Sequence, residues 1–267
     1  MKFKQTLYIM LLWAFCNQLV IAQDGHKHDD LAKQLANPIA NLISMPFQNN
    51  MDFGIGEFNG TRNTLNIQPV LPFKISEDIN LITRMVLPVI HQENISGMNG
   101  LETGTGDMVL SGFFSPSKTK NGLTWGIGPA LLIPSASHEL LGTQKFGVGP
   151  TFVALKQQNA LTYGFLVNQI WSVAGNDQRN DVNQFFFQPF LTYNWKSGAG
   201  VSSVFEMTHD WNNNATVLWF TPSISGVTSL GGQKVQLSVG PRFNLVAPES
   251  AKANYGFRAS ATFIFAK

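Results

Sequence analysis

The residues of this 267-residue chain best equipped for chemistry are its five histidines and the carboxylates near them. His26-Lys27-His28-Asp29-Asp30 sets imidazoles beside carboxylates, donors that suit a transition metal. A tract so close to the chain start brings no second shell to orient such ligands, so neither a metal site nor a cofactor is expected. Ser137-His138-Glu139 holds the residue types of a hydrolase, but neighbours on one loop do not make a nucleophile, a base and an orienter in space. A lipid hydrolase would need His91, His138 or His209 to meet a serine and a carboxylate from elsewhere in the chain. Gly54-Ile55-Gly56 and Gly104-Thr105-Gly106 lack the strand-to-helix setting of a phosphate loop and read as turn glycines. No catalytic residue is assigned, and the chain is not expected to be an enzyme.

A second group of polar residues is scattered singly through apolar sequence: Asn66, Gln68, Arg84, Asn168, Gln184, Gln188, Glu206, Arg242 and Arg258. What they can do depends on the elements that hold them, and those elements have a period of two. Val235, Leu237, Val239, Pro241, Phe243 and Leu245 alternate with Gln236, Ser238, Gly240, Arg242 and Asn244. Tyr255, Phe257, Ala259, Ala261, Phe263 and Phe265 alternate in the same way with Gly256, Arg258, Ser260 and Thr262. This is strand periodicity, with one oily face and one wet face. Similar runs cover 42–54, 63–74, 78–91, 105–116, 122–133, 145–156, 160–173, 182–195, 199–210, 215–227, 233–246 and 253–266. They exceed the five or six residues usual in soluble sheets and match the roughly 9 to 11 that a tilted strand needs to cross a bilayer.

Composition separates a lipid-facing barrel from a soluble one. Only 13% of residues are charged, about half the usual share, while mean hydropathy is +0.01, too low for a bundle of membrane helices. A water-soluble barrel would place charges opposite its apolar faces, whereas here those positions hold mainly Asn, Gln, Ser, Thr and Gly. A soluble secreted barrel or sandwich is the rival fold. Polar groups facing a hydrated lumen mark the path of a solute, or else Arg and Glu pair across it. Twelve strands lie between the eight that side chains fill and the 16 to 18 or so of open porins, so a small or partly plugged pore follows.

The connections should then alternate between longer outer loops (56–62, 91–104, 134–144, 174–181, 211–214, 247–252) and shorter inner turns (75–77, 117–121, 157–159, 196–198, 229–232). Trp125, Tyr163, Trp171, Tyr193, Trp195, Trp219 and Tyr255 are expected in interfacial girdles. Five prolines inside the runs, at Gln68-Pro69, Gly128-Pro129, Gly149-Pro150, Gln188-Pro189 and Gly240-Pro241, remove ladder donors and should mark bulges or rims.

At the N-terminus, Lys2 and Lys4 precede an apolar stretch and Val20-Ile21-Ala22, the pattern of a signal peptide cleaved before Gln23. Cys16 falls within it, so the mature chain holds no cysteine for disulfides or thiolate sites. Loss of the two lysines takes the net charge of +2 to about zero, leaving no basic excess for a nucleic acid partner. Residues 29–36 read as a short helix capped by an Asp and stopped by Asn37-Pro38, placed in or under the barrel mouth.

Several stretches carry a resemblance. Asn37-Pro38-Ile39-Ala40-Asn41-Leu42-Ile43-Ser44-Met45-Pro46-Phe47-Gln48-Asn49-Asn50, Leu65-Asn66-Ile67-Gln68-Pro69-Val70-Leu71-Pro72, Phe113-Phe114-Ser115-Pro116, Gly147-Val148-Gly149-Pro150-Thr151 and Asp181-Val182-Asn183-Gln184 resemble the bacterial outer-membrane barrel transporters grouped with the phenol meta-pathway degradation family. The match spans nearly the whole mature chain. It implies a barrel in the bacterial outer membrane that passes small, often aromatic or hydrophobic, compounds. Sequons at Asn59, Asn94 and Asn214 carry no weight in a bacterial host. The closing Phe263-Ile264-Phe265-Ala266-Lys267 departs from the terminal Phe common in barrel-assembly signals.

The expected protein is therefore all-β: a transmembrane antiparallel β-barrel of about twelve strands with a short N-terminal helix. Its parts are a signal peptide (1–22), an N-terminal segment with the helix (23–40) and the barrel (41–267). Expected partners are outer-membrane lipid, a small-molecule solute and the barrel-assembly machinery. The expected function is a channel or transporter, against an outer-membrane lipid hydrolase or a closed structural or adhesive barrel.

Overall fold

The computed structural model describes residues 25–265; residues 1–24, on which the expected signal peptide and Cys16 fall, and the last two residues lie outside that range. A helix, α1 (Gly25–Leu35), leads into one antiparallel sheet of strands β1 (Ile43–Ile55), β2 (Gly60–Ile67), β3 (Val70–Lys74), β4 (Ile79–Glu93), β5 (Leu101–Thr105), β6 (Met108–Pro116), β7 (Leu123–Ile133), β8 (Lys145–Gln158), β9 (Leu161–Gly175), β10 (Asn183–Asn194), β11 (Ala199–Asp210), β12 (Ala215–Leu230), β13 (Gln233–Val246) and β14 (Tyr255–Phe265). β14 pairs with β1 from Ile43↔Phe265 to Phe53↔Tyr255, which closes the sheet. β2 and β3 share the neighbours β1 and β4, and β5 and β6 both lie along β4, so each couple is one interrupted stave of a closed 12-strand barrel. Closure leaves no free edge except along the short β5, which pairs with β4 alone, and a sheet in lipid requires such closure because hydrocarbon offers no hydrogen bonds.

The connections at one end span 56–59, 94–100, 134–144, 176–182, 211–214 and 247–254; those at the other span 75–78, 117–122, 159–160, 195–198 and 231–232. The first set is longer on the whole, as expected, although 56–59 and 211–214 are no longer than 75–78. Strand limits agree with the periodicity to within a few residues, β12 running three residues farther and β14 stopping short at both ends. The three sequon asparagines are turn residues: Asn59, Asn94 and Asn214 have φ of 51°, 55° and 47°. Asn tolerates this left-handed region at low cost, which accounts for its place at these corners.

Pro69 lies in the break between β2 and β3, an irregularity of the expected kind, but the other four prolines lie within strands, neither at bulges nor at rims. Pro129 faces Pro150 in an unbroken β7–β8 register, Pro189 faces Phe165 and Pro241 faces Phe257. Register shifts fall elsewhere, at Phe53/Ile55, Phe146/Gly147 and Leu218/Trp219. In an antiparallel ladder each N–H points to only one neighbour, so a proline loses a bond on one flank while pairing on the other holds its register. The glycine before the proline has its own reason. A Cβ on Gly128, Gly149 or Gly240 would fall on the carbonyl oxygen of Gly112, Gln169 or Pro222 in the adjacent strand. The Gly-Pro repeat is thus a close backbone approach between staves.

Helix α1 begins earlier than its sequence signals, and Asp29 lies inside it rather than capping it. No proline or glycine follows Gly25 before Leu35, so nothing in the composition delays the helix. It ends where Ala36 and Asn37 donate back to Ala32 and Gln34, and Asn37 Oδ1 accepts from the Ile39 N–H at 2.9 Å.

Candidate functional site

Ion pairs between staves that are not neighbours define the inside of the barrel. Arg258 of β14 donates to Glu206 of β11 at 2.6 Å, and Arg242 of β13 donates to both oxygens of Asp52 of β1 at 2.5 and 2.6 Å. Such pairs form only across the interior, so these residues face it, and register carries the same face around the sheet. Glu102, Gln92, Arg62, Asp52, Gly256 and Arg242 stand in one row across β5, β4, β2, β1, β14 and β13. Along it Gln92 donates to Glu102 at 3.1 Å, and Arg62 donates to Gln92 at 2.9 Å. Ser96 caps the far side of Glu102. Gly256 makes the central pair possible, because Asp52 Oδ1 occupies the place a Cβ would take.

All the polar residues singled out by spacing lie on this inner face. Gln188 approaches Glu206 at 3.4 Å, Arg258 also donates to Asn50 at 2.7 Å, and Arg84 donates to Gln68 at 2.7 Å. Asn66 stands in the row of Gln48, and Asn168 in that of Thr151 and Phe186. Gln184 stands opposite Asp210 near the long-loop end. The structure gathers Glu206, Gln188, Arg242 and Arg258 into one network; Asn66, Asn168 and Gln184 are outside it.

Four members of the network were not legible singly: Asp52, Arg62, Gln92 and Glu102. The available signal was position in phase with Asn50 and Arg84 along runs already marked as strands.

The outer face is apolar. Phe243 is 44% exposed and Phe257 47%, against 5% for Arg242 and 7% for Arg258, so odd positions of β13 and β14 point outward as their alternation requires. Phe205, Phe220 and Phe243 stack in sequence on the exterior, with ring centroids 4.7 and 6.2 Å apart, while Trp125, Tyr163, Tyr193 and Trp195 are exposed toward the short-turn end. Trp219 corrects the girdle assignment: it faces inward in the row of Glu206, under the Arg242 guanidinium at 4.0 Å. In β12 both phases carry bulky apolar residues, Val217 and Trp219 against Leu218 and Phe220, so alternation alone does not choose the inner one.

The lumen itself is two-faced, where the sequence pointed to polar residues throughout. Val70, Ile82, Phe113, Val153, Leu155 and Leu166 form a buried cluster on one wall, joined by Phe186 and Phe190. Ala130, Leu132 and Ile170, with Val109 and Val182, continue the apolar surface toward the long loops. Ile39, 2% exposed, packs into the first cluster, and the segment before it fills the short-turn end. Gln157 donates to the Lys33 carbonyl at 2.7 Å, and Asn194 reaches that of Ala32 at 3.5 Å. Helix and turn therefore plug the barrel from within. On the polar wall, Arg242 Nε, the Asn244 amide and the Thr221 hydroxyl find no partner among the described residues, and water or solute would satisfy them.

At the long-loop end a mouth of about 460 Å³ is lined by Arg179, Asp181, Asn183, Gln184, Asp210 and Asn213, among others. Asp181 accepts from Lys145 at 2.9 Å and from Ser172 at 3.0 Å. These bonds, that of Lys145 foremost, hold its carboxyl below the usual carboxylate range. Three histidines serve loops or strand ends beside them, while the side chains of His26 and His28 lie outside the described residues. His91 bonds Thr103 and Glu93, His138 accepts from the Leu140 N–H, and His209 bonds Thr216 and packs on Trp211. Among the described residues no hydrogen bond joins an imidazole to a serine, and no three potential metal ligands converge.

A closed antiparallel barrel with an apolar outside and a charged, plugged inside is a membrane-spanning β-barrel. The same fold occurs in the COG4313 outer membrane channel from Pseudomonas putida F1, with a TM-score of 0.67 and 13% identity over 86% of this chain and 97% of that one. OmpT, an outer membrane protein of Vibrio cholerae, aligns with a TM-score of only 0.36 at 7% identity, over 84% of this chain and 96% of that chain, too distant to carry an inference. No family model matches the sequence, and no curated protein matches it.

Proposed function

We propose that this chain is a bacterial outer-membrane channel for small solutes, hydrophobic or aromatic ones among them, with the short-turn end in the periplasm. The observation that carries this reading is the lumen: a charged wall built on β1, β11, β13 and β14 faces an apolar wall built on β4, β6, β8 and β9. Buried ion pairs add little net stability, because desolvation generally cancels their attraction, and they offer a solute polar contacts along the lumen. The fold shared with an outer membrane channel supports the same reading, as does the resemblance to the phenol-pathway barrel transporters. Lipid packs on the apolar belt, and assembly proceeds through the barrel-assembly machinery. The chemistry is passage rather than catalysis, and α1 with residues 36–40 is the plug.

The ion pairs across the lumen and the plug also fit a closed structural barrel, and one experiment separates the two. In planar bilayers and solute-loaded liposomes the full mature chain should conduct weakly, and removal of residues 25–40 should raise conductance and uptake of phenols severalfold. Absence of both conductance and uptake in the plug-deleted barrel, shown folded by heat-modifiable gel migration, would end the channel reading.

A further inference from the structure

Arg84 differs from the other arginines of the network. Arg242 and Arg258 contact Asp52 and Glu206; Arg62 also lacks a carboxylate within ion-pair distance among the described residues, but it stands in its row between Asp52 and the Gln92–Glu102 couple. Arg84 lies farther toward the plug, and among the described residues it has no carboxylate within ion-pair distance; its Nη2 donates to the neutral Gln68. The guanidinium lines a cavity of about 180 Å³ between barrel wall and plug, together with Gln68, Gln48 and Thr262 from the wall and Leu35 and Asn37 from the plug. Apolar surface begins at once beside it. Val70, its register neighbour on β3, lines the same space with Leu42, Ala40 and Pro38.

We propose that this cavity binds a small monocarboxylate with an apolar body, its carboxylate on Arg84 and its body against Val70, Leu42, Ala40 and Pro38. The proposal deepens the channel reading and rests on it for how the ligand reaches the site. A guanidinium presents paired N–H donors that match a carboxylate edge, and the Gln48 amide and Thr262 hydroxyl can donate to the remaining lone pairs. One cation balances one negative charge. A phosphate dianion would leave its second charge uncompensated beside an apolar cluster, a costly arrangement. Size points the same way, since the space is below the roughly 300 Å³ at which pockets for drug-sized ligands begin.

Equilibrium dialysis of radiolabelled benzoate against the folded mature chain in detergent micelles tests the site, with protein-free micelles as blank. The expected result is saturable binding that inorganic phosphate and benzamide, the neutral isostere, displace about tenfold less well than unlabelled benzoate. Arg84→Gln should weaken binding by about tenfold or more. Ser111→Asp should do the same by a different route, because Ser111 is the register neighbour of Arg84 on β6 and would supply an internal carboxylate. Failure of wild type to bind saturably, equal displacement by benzamide or phosphate, or full affinity in both variants would overturn the proposal. The benzamide arm needs no variant, so a folding defect in either one leaves the test intact. Conductance without benzoate binding removes this site and leaves the channel; benzoate binding without conductance does the reverse.

Discussion

Gly256 carries no side chain, and the contact between Arg242 and Asp52 depends on that absence. Asp52→Ala would leave a buried guanidinium with only Glu206, 3.9 Å away, in reserve. The expected loss is about 3–5 kcal/mol in unfolding free energy, read as a lower urea midpoint in micelles. Replacing both partners, as in Asp52→Leu with Arg242→Met, should cost clearly less than either single change, because neither charge is then stranded. A double variant as unstable as Asp52→Ala would show that the pair stabilises by more than mutual neutralisation. Arg242 and Arg258 were legible as charges on a clean polar phase. Asp52 was not, because Gln48, Asn49, Asn50 and Asp52 put polar residues on both phases of β1, and its partner is 190 positions away. Pairing at that separation is decided by closure of the sheet, which no local pattern encodes.

At the scale of the strand, parity decides what a substitution costs. Val239 points outward near the middle of β13 and Ser238 points inward, opposite Ser260. Val239→Arg should cost about 2–4 kcal/mol of barrel stability, whereas Ser238→Arg should mainly change conductance. Similar losses at both positions in micelle unfolding titrations would refute the assigned faces. The Gly-Pro pairs make a second prediction. Gly128→Ala drives a methyl into the Gly112 carbonyl and should destabilise by about 1–3 kcal/mol, while Gly112→Ala, whose Cβ would meet only Leu81 at 3.5 Å and Pro129 at 4.0 Å, should be nearly neutral. Comparing heat-modifiability temperatures of the two variants checks this, and equal behaviour would contradict the close approach. Strand existence and limits were readable from period two. The fate of the prolines was not, because whether a missing donor breaks a ladder depends on the neighbouring strand.

At the scale of the molecule, the plug and the two walls act together. Ile39 anchors the plug in the apolar wall, so Ile39→Asp should loosen it and raise single-channel conductance toward that of the chain lacking residues 25–40. Conductance equal to wild type would mean that the hydrogen bonds from Gln157 and Asn194 suffice to hold it. Alternation of apolar and polar residues, a scarcity of charge, strand length and turn composition together determined a twelve-strand barrel with lipid outside and polar residues within. Each is a local property of the chain and can be read along it. Only the tertiary structure decided that the lumen has one apolar wall and that Asp52 meets Arg242. It also decided that Trp219 faces inward and that the helix lies inside the barrel. These depend on which strands stand opposite one another across a closed ring. That arrangement is set when β14 pairs with β1, joining residues from the two ends of the barrel sequence in one register.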